Sequence, residues 1–98
     1  MKTISEINGI IATNKKTIME RFNVTDIGVF GSYMRNEQRE MSDIDILVRF
    51  EHGHKDLFNF IRLKDYLEKL LEIEVDLVNG ETIKPRLRKE ILSEVGYV

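Results

Sequence analysis

Between residues 43 and 50 two sets of side chains alternate without a break. Ile44, Ile46, Val48 and Phe50 fall on one side of an extended chain, and Asp43, Asp45, Leu47 and Arg49 on the other. A period of two dictates a strand with its isoleucine face against a core, so a sheet must be built around it. Two further short apolar runs can pair with it. Ile27, Val29 and Phe30, with the small Gly28, read as a buried strand that stops at Gly31-Ser32. Ile73 to Val78 reads as a third strand, with Asp76 between apolar neighbours.

Helical periodicity occupies the rest. Ile4, Ile7, Ile11, Ile18 and Phe22 lie on one face of a helix over the first 22 residues, and Thr3 with Glu6 forms a capping box. Asp56 to Leu71 carries Leu57, Phe60, Ile61, Lys64, Leu67 and Leu71 on one stripe. A last helix starts near Pro85, a residue tolerated in a first turn, and presents Leu87, Ile91, Leu92 and Val95. Residues 32 to 37 are expected to begin another helix with Ser32 as cap, and residues 36 to 42 to form an exposed loop. The expected fold is therefore α/β (α+β), in the order α-β-α-β-α-β-α. A small mixed sheet of about three strands carries the helices on it, and residues 1–98 make one domain.

Composition narrows the function classes. There is no cysteine, which removes disulfides, thiolate metal sites and a cysteine nucleophile, and fits a cytoplasmic location. Fifteen Lys and Arg against 17 Asp and Glu argue against direct grip on a nucleic-acid backbone as the main task. No stretch is apolar enough for a membrane span or a signal-peptide core, so no membrane partner is expected.

The chemistry concentrates in Gly31-Ser32-Tyr33-Met34-Arg35-Asn36 and Ser42-Asp43-Ile44-Asp45. A Gly-Ser bend leaving a buried strand offers backbone N–H groups and a hydroxyl to a phosphate. Asp43 and Asp45 leave the same face of one strand about 6.5 to 7 Å apart and repel by about 2 to 3 kcal/mol at an effective dielectric near 20. A divalent cation shared with substrate phosphates offsets that repulsion. If the strand carrying Asp76 lies next to this one, three carboxylates converge on one or two metals, an arrangement suited to in-line nucleotidyl transfer.

On these residues the chain resembles the DNA-polymerase-β-type nucleotidyltransferase superfamily, and over nearly its whole length the minimal, single-domain MNT branch. The resemblance implies that Gly31 and Ser32 contact a nucleoside triphosphate, that Asp43 and Asp45 bind Mg²⁺, and that Asp76 completes the metal site. Arg35 could neutralise the β- and γ-phosphates. Either a second metal shared with Asp76 activates the acceptor hydroxyl, or Asp76 accepts its proton. Family members commonly have Gly where this chain has Asn36, and Asn tolerates the left-handed conformation that such a turn uses. The resemblance also implies a role: an antitoxin that moves AMP from ATP to a tyrosine hydroxyl of a HEPN ribonuclease toxin. A chain of 98 residues has no room for the helical acceptor-holding domain of larger nucleotidyltransferases, so the acceptor surface is expected on another macromolecule. The alternatives are a catalytically idle module that neutralises its partner by covering it, and an enzyme acting on a small molecule or a nucleic-acid end.

Other features read as ordinary surface or packing. His52 and His54 flank Gly53 in an expected exposed turn, and Lys84, Arg86, Arg88 and Lys89 form a solvated basic run. Tyr33 and Met34 are expected to pack rather than to stack on a base.

Overall fold

The structure is a computed structural model that describes residues 2–40, 42–53 and 56–98. The elements are α1 (Ile4–Phe22), β1 (Val24–Phe30), β2 (Ile44–Phe50), α2 (Leu57–Leu71), β3 (Val75–Asn79), α3 (Pro85–Glu94) and β4 (Gly96–Tyr97). The strands form one mixed sheet in the order β3-β2-β1-β4. β1 runs antiparallel to β2 and to β4, whereas β2 and β3 are parallel. The parallel pair is joined through α2, which crosses one face of the sheet.

The isoleucine face of β2 is where the main core sits. Ile44, Ile46 and Val48 are fully buried there with Ile7, Ile11 and Ile18 of α1 and Leu63, Leu67 and Leu71 of α2. The opposite face has a smaller apolar cluster of Phe30, Leu47 and Ile83, against which Ile91, Leu92 and Val95 pack. Leu47 therefore shares its side of β2 with Asp45 because α3 and the segment before it cover that end. The capping box at the head of α1 forms: the Glu6 N–H donates to Thr3 Oγ1 at 3.2 Å, and the Thr3 N–H donates to Glu6 Oε1 at 3.3 Å.

Five expectations need correction in detail. Residues 32–37 form successive turns rather than a helix, because Asn36 enters the left-handed region at φ 58° and the Glu37 N–H closes back onto the Ser32 carbonyl at 2.8 Å. Asn36 thus takes the conformation expected of it. A fourth strand, β4, adds to β1 after α3, and it is too short to carry any period in sequence. Asp43 stands just before β2, and β3 begins at Val75 rather than at residue 73. The stripe on α2 is also rotated: Asn59, Leu63, Leu67 and Leu71 are buried, while Leu57 and Ile61 are exposed. Asn59 reaches the inner face because its side-chain N–H donates to the Phe22 carbonyl at the end of α1, at 2.7 Å.

Candidate active site

β1 ends at Phe30, whose register partner on β2 is Asp45. Gly31 then turns the chain at φ 76°, and a Cβ placed there would collide with the Asp45 carboxylate. Glycine is required twice over, by conformation and by the acid packed against it. The bend continues through a single turn in which the Arg35 N–H donates to the Gly31 carbonyl at 3.1 Å. Among the described residues the N–H groups of Ser32, Tyr33 and Met34 have no hydrogen-bond acceptor. Unpaired donors beside a glycine bend, with the Ser32 hydroxyl among them, make an anion cradle.

The parallel register sets Asp45 of β2 directly beside Asp76 of β3. Side chains of register partners leave the same face of a sheet, so the two carboxyls meet on the side that carries Leu47. Asp43, two residues before Asp45, projects toward the same edge. Burial pushes the Asp45 carboxyl up to about 6, and the Asp76 charge, a hydrogen bond with Asp76 and the Asp43 charge all add to the effect; only Arg35 acts against it. Asp43 and Asp76 are exposed, and among the described residues no ion pair joins Asp76 to Arg49 or to a lysine. Among the described residues the three acids are thus gathered with no ion pair to a cation of the protein's own.

Such a donor set fits a hard divalent cation: oxygen ligands only, mutual repulsion, and open sides. Among the described residues no three acids or imidazoles close into a metal cage by themselves. Mg²⁺ does not need one, because it keeps waters and takes substrate phosphate oxygens as ligands.

Arg35 is held back from this group. Its guanidinium forms an ion pair with Glu94 in the last turn of α3 and a second, at 3.4 Å, with Glu37. Glu94 had no signal in the sequence, since nothing in a helix pattern identifies the residue that a distant arginine will meet. Tyr33 is a core residue at 2% exposure, and Met34 packs against Gly96 of β4. Lys84, Arg86, Arg88 and Lys89 are all exposed on or beside α3. His52 is exposed in a turn, and His54 lies outside the described residues.

A glycine-serine bend beside two strand-borne acids and a third just before its strand, on a mixed sheet, is the arrangement of a nucleotidyltransferase. The nucleotidyltransferase domain model matches residues 11–98, and the chain belongs to that family. Its relatives include the protein adenylyltransferase MntA of Thermococcus cleftensis, 50% identical over 98 residues that cover 100% of this chain and 98% of the relative. A solved toxin–antitoxin complex with AMP-PNP superposes with a TM-score of 0.72 at 27% identity, over 93% of this chain and 70% of that one. A complex of tri-AMPylated Shewanella oneidensis HEPN toxin with its MNT antitoxin gives a TM-score of 0.63 at 25% identity, over 93% of this chain and 66% of that one.

Proposed function

We propose that the protein transfers AMP from ATP to a hydroxyl, tyrosine by preference, on a HEPN ribonuclease toxin and so neutralises it. The observation that carries this reading is the Asp45–Asp76 register with Gly31 packed on the same carboxylate. Support comes also from the relative named as a protein adenylyltransferase and from the AMPylated toxin in the related complex.

The triphosphate lies on the N–H groups of residues 32–34 and on the Ser32 hydroxyl. Asp43, Asp45 and Asp76 would hold Mg²⁺, which when bound neutralises phosphate charge and acidifies the acceptor hydroxyl. The small Gly31 lets the phosphates approach the backbone while Asp45 fills the space behind it. The acceptor oxygen attacks the α-phosphorus in line, a new P–O bond forms, and the bond to the β-phosphate oxygen breaks to release pyrophosphate. Asp76, exposed on β3, takes the hydroxyl proton. Arg35 reaches the leaving phosphates once it exchanges Glu94 for them.

Co-purification with the toxin, followed by ATP labelled either at the α- or at the γ-phosphate, tests the reading. Label from the α position should appear on the toxin and label from the γ position should leave as pyrophosphate. A second reading, neutralisation by docking alone, draws on Leu57, Phe58 and Ile61, which α2 exposes at 68%, 72% and 52%. Protection of the cell without any transferred label would select it.

A further inference from the structure

β3 ends the sheet, and among the described residues no strand pairs with its outer edge. The Gly80 N–H donates to the Val48 carbonyl and the Ile44 N–H to the Glu74 carbonyl, so the even-numbered residues of this stretch bond to β2. The odd-numbered ones, Val75, Leu77 and Asn79, turn their backbone groups outward. Both ends of that row are closed. The Val75 N–H donates to Glu68 Oε2 at 2.9 Å, and the Asn79 carbonyl accepts the Thr82 N–H at 3.0 Å. Between them the Val75 carbonyl, both backbone groups of Leu77 and the Asn79 N–H have no hydrogen-bond partner among the described residues. Unpaired groups in that order match one kind of ligand, an extended backbone.

α2 adds an apolar flank beside the same edge. Leu57, Ile61, Lys64 and Glu68 follow one stripe of the helix. Glu68 at its end bonds to Val75, so the stripe runs along the β3 edge. Leu57 is 68% and Ile61 52% exposed, and Leu57 lines an open groove of about 460 Å³ together with Phe60, Leu77 and Asn79. The core thus continues past the last strand as bare apolar surface, where a fifth strand would cover it.

We propose that the acceptor segment of the partner docks here as a fifth, antiparallel strand, with its reactive hydroxyl residue between two apolar ones. The residue opposite Asp76 leaves the sheet on the acid face, with Cβ atoms about 5 Å apart. Its two neighbours leave the other face, under α2, where they cover Leu57 and Ile61. Their N–H groups donate to the Leu77 and Val75 carbonyls, whereas the N–H of the central residue points away from β3. The hydroxyl is thereby delivered beside the acid that takes its proton. A second copy of this chain is a poorer occupant. Paired through the same edge about a two-fold axis, it would bring two Asp76 carboxylates onto one face of a joined sheet, where like charges repel. The inference rests on the transfer reading above and names how the acceptor is recognised.

Fluorescent peptides with a central tyrosine, flanked on both sides either by isoleucine or by serine, test it by anisotropy with the full chain. The isoleucine peptide should bind about tenfold more tightly or better. N-methylation of the two flanking isoleucines should lower its affinity about tenfold, and N-methylation of the tyrosine should leave it unchanged. The Leu57→Ser/Ile61→Ser variant alters only exposed residues. It should lose the preference for isoleucine and keep its affinity for ATP in calorimetry. Equal affinities for the two peptides, equal effects of the two methylations, or a preference that survives the double variant would each overturn the proposal. A dimer in sedimentation that the double variant dissociates and the isoleucine peptide does not would overturn it too, and assign the edge to a second copy. Transfer of α-label to the toxin is read separately. Its absence alongside the full peptide pattern sinks the transfer reading, and a failed peptide pattern alongside intact transfer sinks the fifth strand.

Discussion

At neutral pH the ionised Asp45 carboxylate is held in the sheet against its own preference. Its folded value, raised to about 6 from 3.8, means that the fold favours the protonated form. The stability this group contributes is full below pH 4 and is lost as pH rises through 6. Two units correspond to about 3 kcal/mol, which solvent screening of a half-exposed carboxyl reduces to about 1 kcal/mol. Asp45→Asn should therefore raise Tm by about 4 to 8 °C at pH 7.5, and the gain should vanish near pH 4 in paired thermal melts. Gly31→Ala should lose about 2 kcal/mol or more in urea unfolding, from a left-handed φ and from overlap with the same carboxylate. Adding Asp45→Ala should recover the overlap and leave the backbone cost, so the two changes are not additive.

Among the elements, α2 shows both what the pattern carries and where it stops. Leu67 and Leu71 were legible as buried, but Leu57 and Ile61 drew the apolar stripe to the wrong side of the helix. An asparagine weighs as polar in any periodicity, and the carbonyl at the end of α1 draws Asn59 to the inner face. Asn59→Leu should cost about 1 to 3 kcal/mol by leaving the Phe22 carbonyl without its donor, with transfer activity retained; urea unfolding beside a transfer assay checks both. The turns at 32–37 eluded the sequence for a related reason. Ser32 is a good cap, but Asn36 enters the left-handed region and stops the turns from continuing into a helix. By contrast the capping box of Thr3 and Glu6 and the proline at the start of α3 are local signals, and both act where the residues alone placed them. Thr3→Ala should cost about 1 kcal/mol in thermal or urea unfolding.

For the molecule as a whole, strand order was the missing quantity. The residues of the acid group could be read directly from the sequence, because Gly31-Ser32 ends a buried run, Asp43 and Asp45 share one side of an alternating strand, and Asp76 sits between apolar neighbours. Whether Asp76 stood beside Asp45 depended on the parallel pairing of β2 with β3, a contact that no local signal encodes. The ion pair from Arg35 to Glu94 is of the same kind and ties the bend to α3 across 59 positions of the chain. α3 in turn covers Phe30 and Leu47, so the glycine-serine bend and the acid strand share one lid. The most direct measurement is the rate of α-label transfer from ATP to the co-purified toxin by Asp76→Asn, with circular dichroism to show an intact fold. A fall of about a hundredfold or more is predicted for a group that takes the hydroxyl proton within the three-acid set. Transfer at the wild-type rate would contradict it.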